Sequence, residues 1–342
     1  MKHRFGVTMV LAALAATLAL AAPSPAAAAD RVSVQLDWVV RGNHAMFFVA
    51  QAKGYFAKNG IEVAAIRKGT GSPDALRLVG NGSAEFGFGD LPTLLVARSQ
   101  GVPVVALAAV NQRSPLAVIT LARSHPLKTP QDLKGLNIGI HPAGSTYIFF
   151  KAFLAANGMS EADMKMSTVS PPYENYLLLG HVDAVPGYLD AEVPELEAKA
   201  GGPGSLSILQ GSDYGYDAYG SGLFTSEAVI KDHADLVQRF VNAYMQAFAD
   251  VAADPEGAAD IVAKALPEYA GKRDVLEAQL KADIAATFFN DDTKAHGLGW
   301  MTAEHWQRTM DTLIQQGALK ARLPVDQAFD NRFVEAAQPP KR

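Results

Sequence analysis

The chain contains no cysteine among its 342 residues. Disulfides, thiolate metal sites and lipid attachment to a cysteine are thereby excluded. A secreted chain without disulfides suits a bacterial periplasm better than it suits a small stapled extracellular module. Long runs of one charge are absent too. The formal charge is a mild −5, spread along the chain, which argues against a nucleic-acid partner, since that would want a basic face. There is no G-x-S-x-G elbow, no G-x-x-x-x-G-K-[ST] phosphate loop and no H-E-x-x-H pair. His44, His125, His141, His181, His233, His296 and His305 are scattered, none at metal-ligand spacing with another histidine. Neither a catalytic residue nor a metal nor a cofactor is expected. Beyond the N-terminal region, no segment is apolar for long enough to span a membrane.

What is present begins with a three-part leader. Lys2, His3 and Arg4 precede the apolar run Gly6–Ala22, and Ala27–Ala29 offers a cleavage site before Asp30. This is the plan of a secretory signal peptide over residues 1–29. A membrane anchor is the alternative, weakened by Pro23 and Pro25. Loss of Lys2 and Arg4 with the signal takes the formal charge from −5 to −7. The remaining 30–342 is long enough for about two domains.

Short β-branched runs alternate with helical periods through two thirds of this stretch. Strands are expected at Val32–Leu36, Ile61–Arg67, Glu85–Phe88 and Val104–Val110, with helices at Ala45–Lys58, Ser72–Val79 and Thr93–Gln100. A second set follows between Leu116 and Thr225, and after it only helices. The alternation argues for α/β lobes with mainly parallel sheets. The chain would cross between lobes at Val110–Leu116 and return at Tyr214–Ser221. That assigns 30–112 plus 220–342 to one lobe and 113–219 to the other, with the terminal helices packed on the first.

Ligands of open α/β folds sit where strands end and helices begin. Three loops meet that description. Asp37-Trp38-Val39-Val40-Arg41-Gly42-Asn43-His44 follows the first strand. Gly69-Thr70-Gly71-Ser72-Pro73-Asp74 is a glycine-rich turn into a helix, and His141-Pro142-Ala143-Gly144-Ser145-Thr146 is its counterpart in the other lobe. Glycines let backbone approach a ligand, and free N–H groups at a helix start favour polar acceptors. Ordinary capping by Ser72 and Ser145 is the readier explanation of each loop alone, and the same features at equivalent places in two lobes tilt the reading toward a bound ligand.

The block LDWVVRGNHAMFFVAQAKGYFAKNGIEV, followed in order by GTGSPDALRLVGNGSAEFGFGD, TPQDLKGLNIGI, GHVDAV and LFTSEAVIKDHADLVQRFVNAYMQA, resembles the family that joins sulfonate-binding (SsuA-like) and thiamine-precursor-binding proteins. The resemblance runs from about Leu36 to Ala247. It implies a two-lobed type II periplasmic-binding fold, closing by a hinge over one small molecule that a permease and ATPase of an ABC importer then take up. The protein would act as a monomer. Known ligand classes are thiamine-precursor pyrimidines, favoured by the D-W…N-H spelling, with alkanesulfonates, nitrate and aromatic carboxylates as alternatives. Carried over, Trp38 is a stacking wall and Asn43 and His44 hydrogen-bonding groups. Gly71, Ser72 and Asp90 in the second block, with Gly144, Ser145, Thr146 and Tyr188, complete the candidate site. Glu192 matches the family's acidic residue with the spacing one residue short. Where the family often has Pro-Asn or Pro-Thr, this chain has Val40-Arg41. Arg41, with Arg113 at the outgoing crossing, would suit a carboxylate or sulfonate; a salt bridge, solvated or between the lobes, is the equal alternative for both. An enzyme related to eukaryotic pyrimidine-precursor synthases, with Lys68 forming a Schiff base, is the rival of another class, disfavoured by the absent cysteines. A receptor that presents its ligand to a sensor kinase would share the same lobes.

Overall fold

The computed structural model describes residues 29–170, 172 and 174–337; the expected signal peptide lies almost wholly outside them. Among the described residues, ten strands form two five-stranded sheets. The first contains β1 (Asp30–Gln35), β2 (Ile61–Arg67), β3 (Phe86–Asp90), β4 (Val104–Ala109) and, from far along the chain, β10 (Ser221–Ser226), in the order β2-β1-β3-β10-β4. The second contains β5 (Leu116–Leu121), β6 (Asn137–Ile140), β7 (Lys165–Thr168), β8 (Ala184–Tyr188) and β9 (Leu206–Gln210), in the order β7-β6-β8-β5-β9. Helices flank both, giving the bilobed architecture of a type II periplasmic-binding fold.

The sheets are mixed rather than mainly parallel. β1 runs parallel to β2 and β3, and β6 to β7 and β8, but β10 is antiparallel to β3 and β4, and β5 to β8 and β9. The reason is where the chain enters. Ser221 at the start of β10 pairs with Asp90 at the end of β3, and Leu116 at the start of β5 pairs with Tyr188 at the end of β8. A strand that comes in from the edge where its neighbours finish has to run back against them, and βα alternation carries no trace of that.

The two crossings lie side by side. Val110 and Asn111 donate backbone N–H groups to Ser221 O, Gly220 N donates to Asn111 O, and Ser114 N donates to Ala218 O. The first helix, expected to run unbroken through Ala45–Lys58, is interrupted: Ala45–Ala52 ends before Gly54, whose φ of +71° only glycine adopts freely, and Tyr55–Lys58 forms a separate turn. Its residues 45–50 are all buried. They pack with Phe86, Phe88 and the long helix Ala234–Ala253 in the main core of the first sheet. Glu227–Asp232, Asp291–His296 and Arg332–Ala337 are additional short helices.

Candidate binding cleft between the sheets

The strand ends of the two sheets face each other, and the three loops meet there. Asp37, Trp38, Arg41, Gly71 and Ser72 from one side and His141, Gly144, Ser145, Thr146 and Tyr188 from the other line one cavity of about 20 Å³. That is room for roughly one water. Gly71 makes the approach possible. Its φ is +150°, and a Cβ there would sit 3.1 Å from Ala143 O of the opposite loop.

Neither serine caps its helix. The helices Ser72–Gly80 and Ser145–Ala156 have Gly71 and Gly144 as N-caps, without side-chain capping bonds. Each hydroxyl bonds within its own side of the site instead. Ser72 Oγ donates to Asp37 Oδ2 at 3.2 Å and accepts from Asp90 N at 3.0 Å. Ser145 Oγ lies 2.6 Å from Tyr188 Oη. Asp90 stands behind Ser72 and is itself an N-cap, accepting from Thr93 N at 2.9 Å at the head of Leu91–Ser99. Burial pushes its carboxyl up to about 7, with the Asp37 charge adding and the Thr93 hydrogen bonds opposing.

His44 is buried beneath the loop and does not line the cavity. Arg41 N donates to His44 Nδ1 at 3.1 Å, so the ring proton sits on Nε2, which is 3.0 Å from Asp37 Oδ1. Phe88 packs edge-on against the ring at 5.0 Å. His44 therefore orients Asp37 and the loop. Asn43 is also buried outside the cavity lining, with Oδ1 lacking a hydrogen-bond partner among the described residues.

Arg41 spans the cleft. Its guanidinium carbon lies 5.5 Å from the Trp38 ring centroid and 5.9 Å from that of Tyr188. The same group pairs with Glu192, and Glu174 Oε1 is 3.9 Å away. This is the interlobe salt bridge that the sequence left open for Arg41. Both carboxylates come from the second sheet's side, and Glu192 Oε2 also accepts from Tyr188 N at 2.7 Å. Burial, then the Glu192 charge, raises Glu174 to about 7 against the pull of Arg41. Arg113 makes a half-exposed ion pair with Asp213 at 2.5 Å and does not line the cavity.

A second cavity of about 320 Å³ opens on the far side of Arg41, lined by Trp38, Arg41, Glu174, Glu195, Tyr269 and Leu276 among others. Glu174, Tyr269 and Gln279 escaped the sequence reading. Glu174 follows a proline pair with no motif of its own. Tyr269 and Gln279 come from helical segments far along the chain, and only folding brings them to the loop after β1. Asp37 was legible as part of the D-W pair. Among the described residues, no group of three or more His, Asp or Glu side chains is arranged to hold a metal ion.

The family described as NMT1/THI5 like matches residues 41–258. The riboflavin-binding protein RibY of Chloroflexus aurantiacus is 30% identical over 325 residues, covering 94% of this chain and 90% of that protein. The formylaminopyrimidine-binding protein of Halalkalibacterium halodurans is 24% identical over 307 residues, covering 89% of this chain and 91% of that protein. Among solved structures, the alkanesulfonate-binding protein SsuA of Xanthomonas axonopodis pv. citri superposes with a TM-score of 0.67 at 20% identity, covering 90% of this chain and all of that one. The chain belongs to the NMT1/THI5-like family of SsuA-like periplasmic-binding proteins.

Proposed function

We propose that the protein is the solute-binding component of an ABC importer, working in the periplasm after removal of the signal over 1–29, and that residues 30–112 with 220–342 close against 113–219 over a planar heteroaromatic molecule. The observation that carries this reading is the setting of Arg41. A flat, delocalised, donor-bearing group lies between the rings of Trp38 and Tyr188 and meets the carboxylate of Glu192. An aminopyrimidine has the same character, with a π-face for the rings and an exocyclic amine for Glu192. The two groups would exchange: the ring takes the slot as the lobes open and reclose, and Arg41 swings aside. A thiamine-precursor pyrimidine is the first choice of ligand, in keeping with the formylaminopyrimidine-binding relative. A larger ring system such as a flavin is the second reading. The 320 Å³ cavity beside Trp38 and Tyr269 favours it, since it lies in the size range of small-molecule sites, about 300–1,000 Å³, and so does the likeness to the riboflavin-binding relative.

A binding role rather than catalysis is supported by the state of Lys68. Its Nζ lies 2.7 Å from Glu268 Oε1, and that hydrogen bond raises its pKa. A lysine held protonated is a poor imine former. Thermal-shift measurement with aminopyrimidines, riboflavin, aromatic acids, alkanesulfonates and nitrate tests the ligand class. Stabilisation by one of the heteroaromatics alone is expected; a response confined to sulfonates or nitrate would overturn the reading.

A further inference from the structure

The helix Arg273–Ala286 presents Gln279 and Asp283, one turn apart, to the turn that follows β8. Gln279 stitches the cleft: its Oε1 accepts from Gly42 N at 2.9 Å, and its Nε2 donates to Ala191 O at 2.8 Å. Asp283 lies deeper and is fully buried, as is Asp190 opposite it. Asn111, in the outgoing crossing, joins them. Its Nδ2 donates to Asp283 Oδ1 at 2.6 Å and lies 3.4 Å from Asp190 Oδ2. Thr287 Oγ1 donates to Asp283 Oδ1 at 2.9 Å. Both carboxyls are thus gathered on the one Asn111 amide, and Asp190 Oδ1 and Asp283 Oδ2 are buried with no hydrogen-bond partner among the described residues. Two carboxyls so placed stay together only when one of them carries a proton, because two like charges in a buried site repel and lack solvation.

We propose that Asp190 and Asp283 form a proton-operated latch, so that the lobes close by taking up one proton and part when it is lost. The inference rests on the closure reading above and not on the identity of the ligand. The other groups facing the pair leave it as the proton site. Asp283 faces Tyr244 of the helix Ala234–Ala253, whose buried hydroxyl is held well above its ordinary range by burial, with the Asp283 charge adding to it. Asp190 faces Glu192, which disfavours its charge, and Arg41, which favours it. Burial, then the Asp190 charge, raises Asp283 far above the ordinary carboxyl range, and burial raises Asp190 as well. A group raised in the closed form favours closure at low pH, and the advantage disappears as pH rises through the raised value.

The missing cysteines make a direct test simple. Glu62→Cys in β2 and Lys165→Cys in β7, both at exposed positions, take spin labels for distance measurements on the ligand-free protein at mildly acidic through alkaline pH. Between the ordinary carboxyl range, where the separated aspartates of the open form titrate, and the raised range of the closed pair, the ratio of closed to open molecules is expected to fall by up to about tenfold per pH unit, as one linked proton requires. Asp283→Asn, an uncharged side chain of the same shape as the protonated acid, is expected to flatten this dependence with the closed form retained. Asp190→Asn gives the same readout from the other side if circular dichroism shows Asp283→Asn to be misfolded. A wild-type ratio that does not change with pH overturns the latch. So does a dependence that persists in both asparagine variants and vanishes in Glu174→Gln. One fixed distance at every pH, with and without riboflavin and aminopyrimidines, overturns the closure reading itself and the latch with it.

Discussion

On the wall supplied by the first sheet, Asp37 has a donor on each carboxylate oxygen, His44 on one and Ser72 on the other. On the wall supplied by the second, Glu174 keeps one carboxylate oxygen buried with no hydrogen bond, and Glu192 meets a cation that reaches over from the first wall. The first wall is held by its own hydrogen bonds. The second depends for charge balance on Arg41. A polar network satisfied within one lobe stays in place whether the cleft is open or shut, whereas buried carboxylates lean on whatever the opposite lobe or a ligand brings.

Removing Arg41 should break this contrast most severely. Arg41→Ala leaves Glu192 buried without its counter-charge, and loss of one partner of a buried pair typically costs about 3–5 kcal/mol. Urea unfolding at neutral pH should show the loss, and at acidic pH, where Glu174 binds a proton, it should shrink. An unchanged midpoint would mean that the second wall carries its charge without help. His44→Ala attacks the first wall. Leaving Asp37 and Arg41 N short of a partner should cost about 1–3 kcal/mol, read by the same unfolding curves, with the pH dependence attributed to Glu174 unaltered.

Trp38 tests which ligand class exploits the contrast. Trp38→Ala should weaken binding of a heteroaromatic ligand by about 1 kcal/mol or more through lost stacking, while leaving any nitrate affinity nearly as it was; calorimetric titration separates the two. Equal affinities for the heteroaromatic in wild type and variant would take Trp38 out of the site. The finest effect is a slope. Glu174 is raised from 4.5 to about 7, so its contribution to stability is fully present below 4.5 and is lost as pH rises through about 7. Glu174→Gln should remove that part of the decline in melting temperature across this window, and a variant that declines as steeply as wild type would show that Glu174 does not titrate there.

Several parts of this molecule could be read before folding. The crossings Val110–Leu116 and Tyr214–Ser221 stood out because β-branched runs stop and restart around them, and they do lie together. The loops Asp37–His44, Gly69–Asp74 and His141–Thr146 could be placed at strand ends because the period of hydrophobicity changes there from two to nearly four. Capping was the plain alternative for Ser72 and Ser145, and nothing local shows that each hydroxyl instead finds a partner within its own lobe, Asp37 for Ser72 and Tyr188 for Ser145. The same local logic placed His44 at the ligand when packing against Phe88 and bonding to Asp37 set it behind the loop.

The sequence by itself determined the lack of thiol chemistry, the two α/β series and the three loops that flank a cleft, because each depends on residue types present or close together in the chain. The tertiary structure alone decided that β5 and β10 run against their neighbours, that Arg41 meets Glu174 and Glu192, and that Asp190 and Asp283 gather on Asn111. These are contacts between residues separated by scores of positions. Their energies come from burial and from opposed or like charges in low dielectric, and those act only once the chain has brought the groups together.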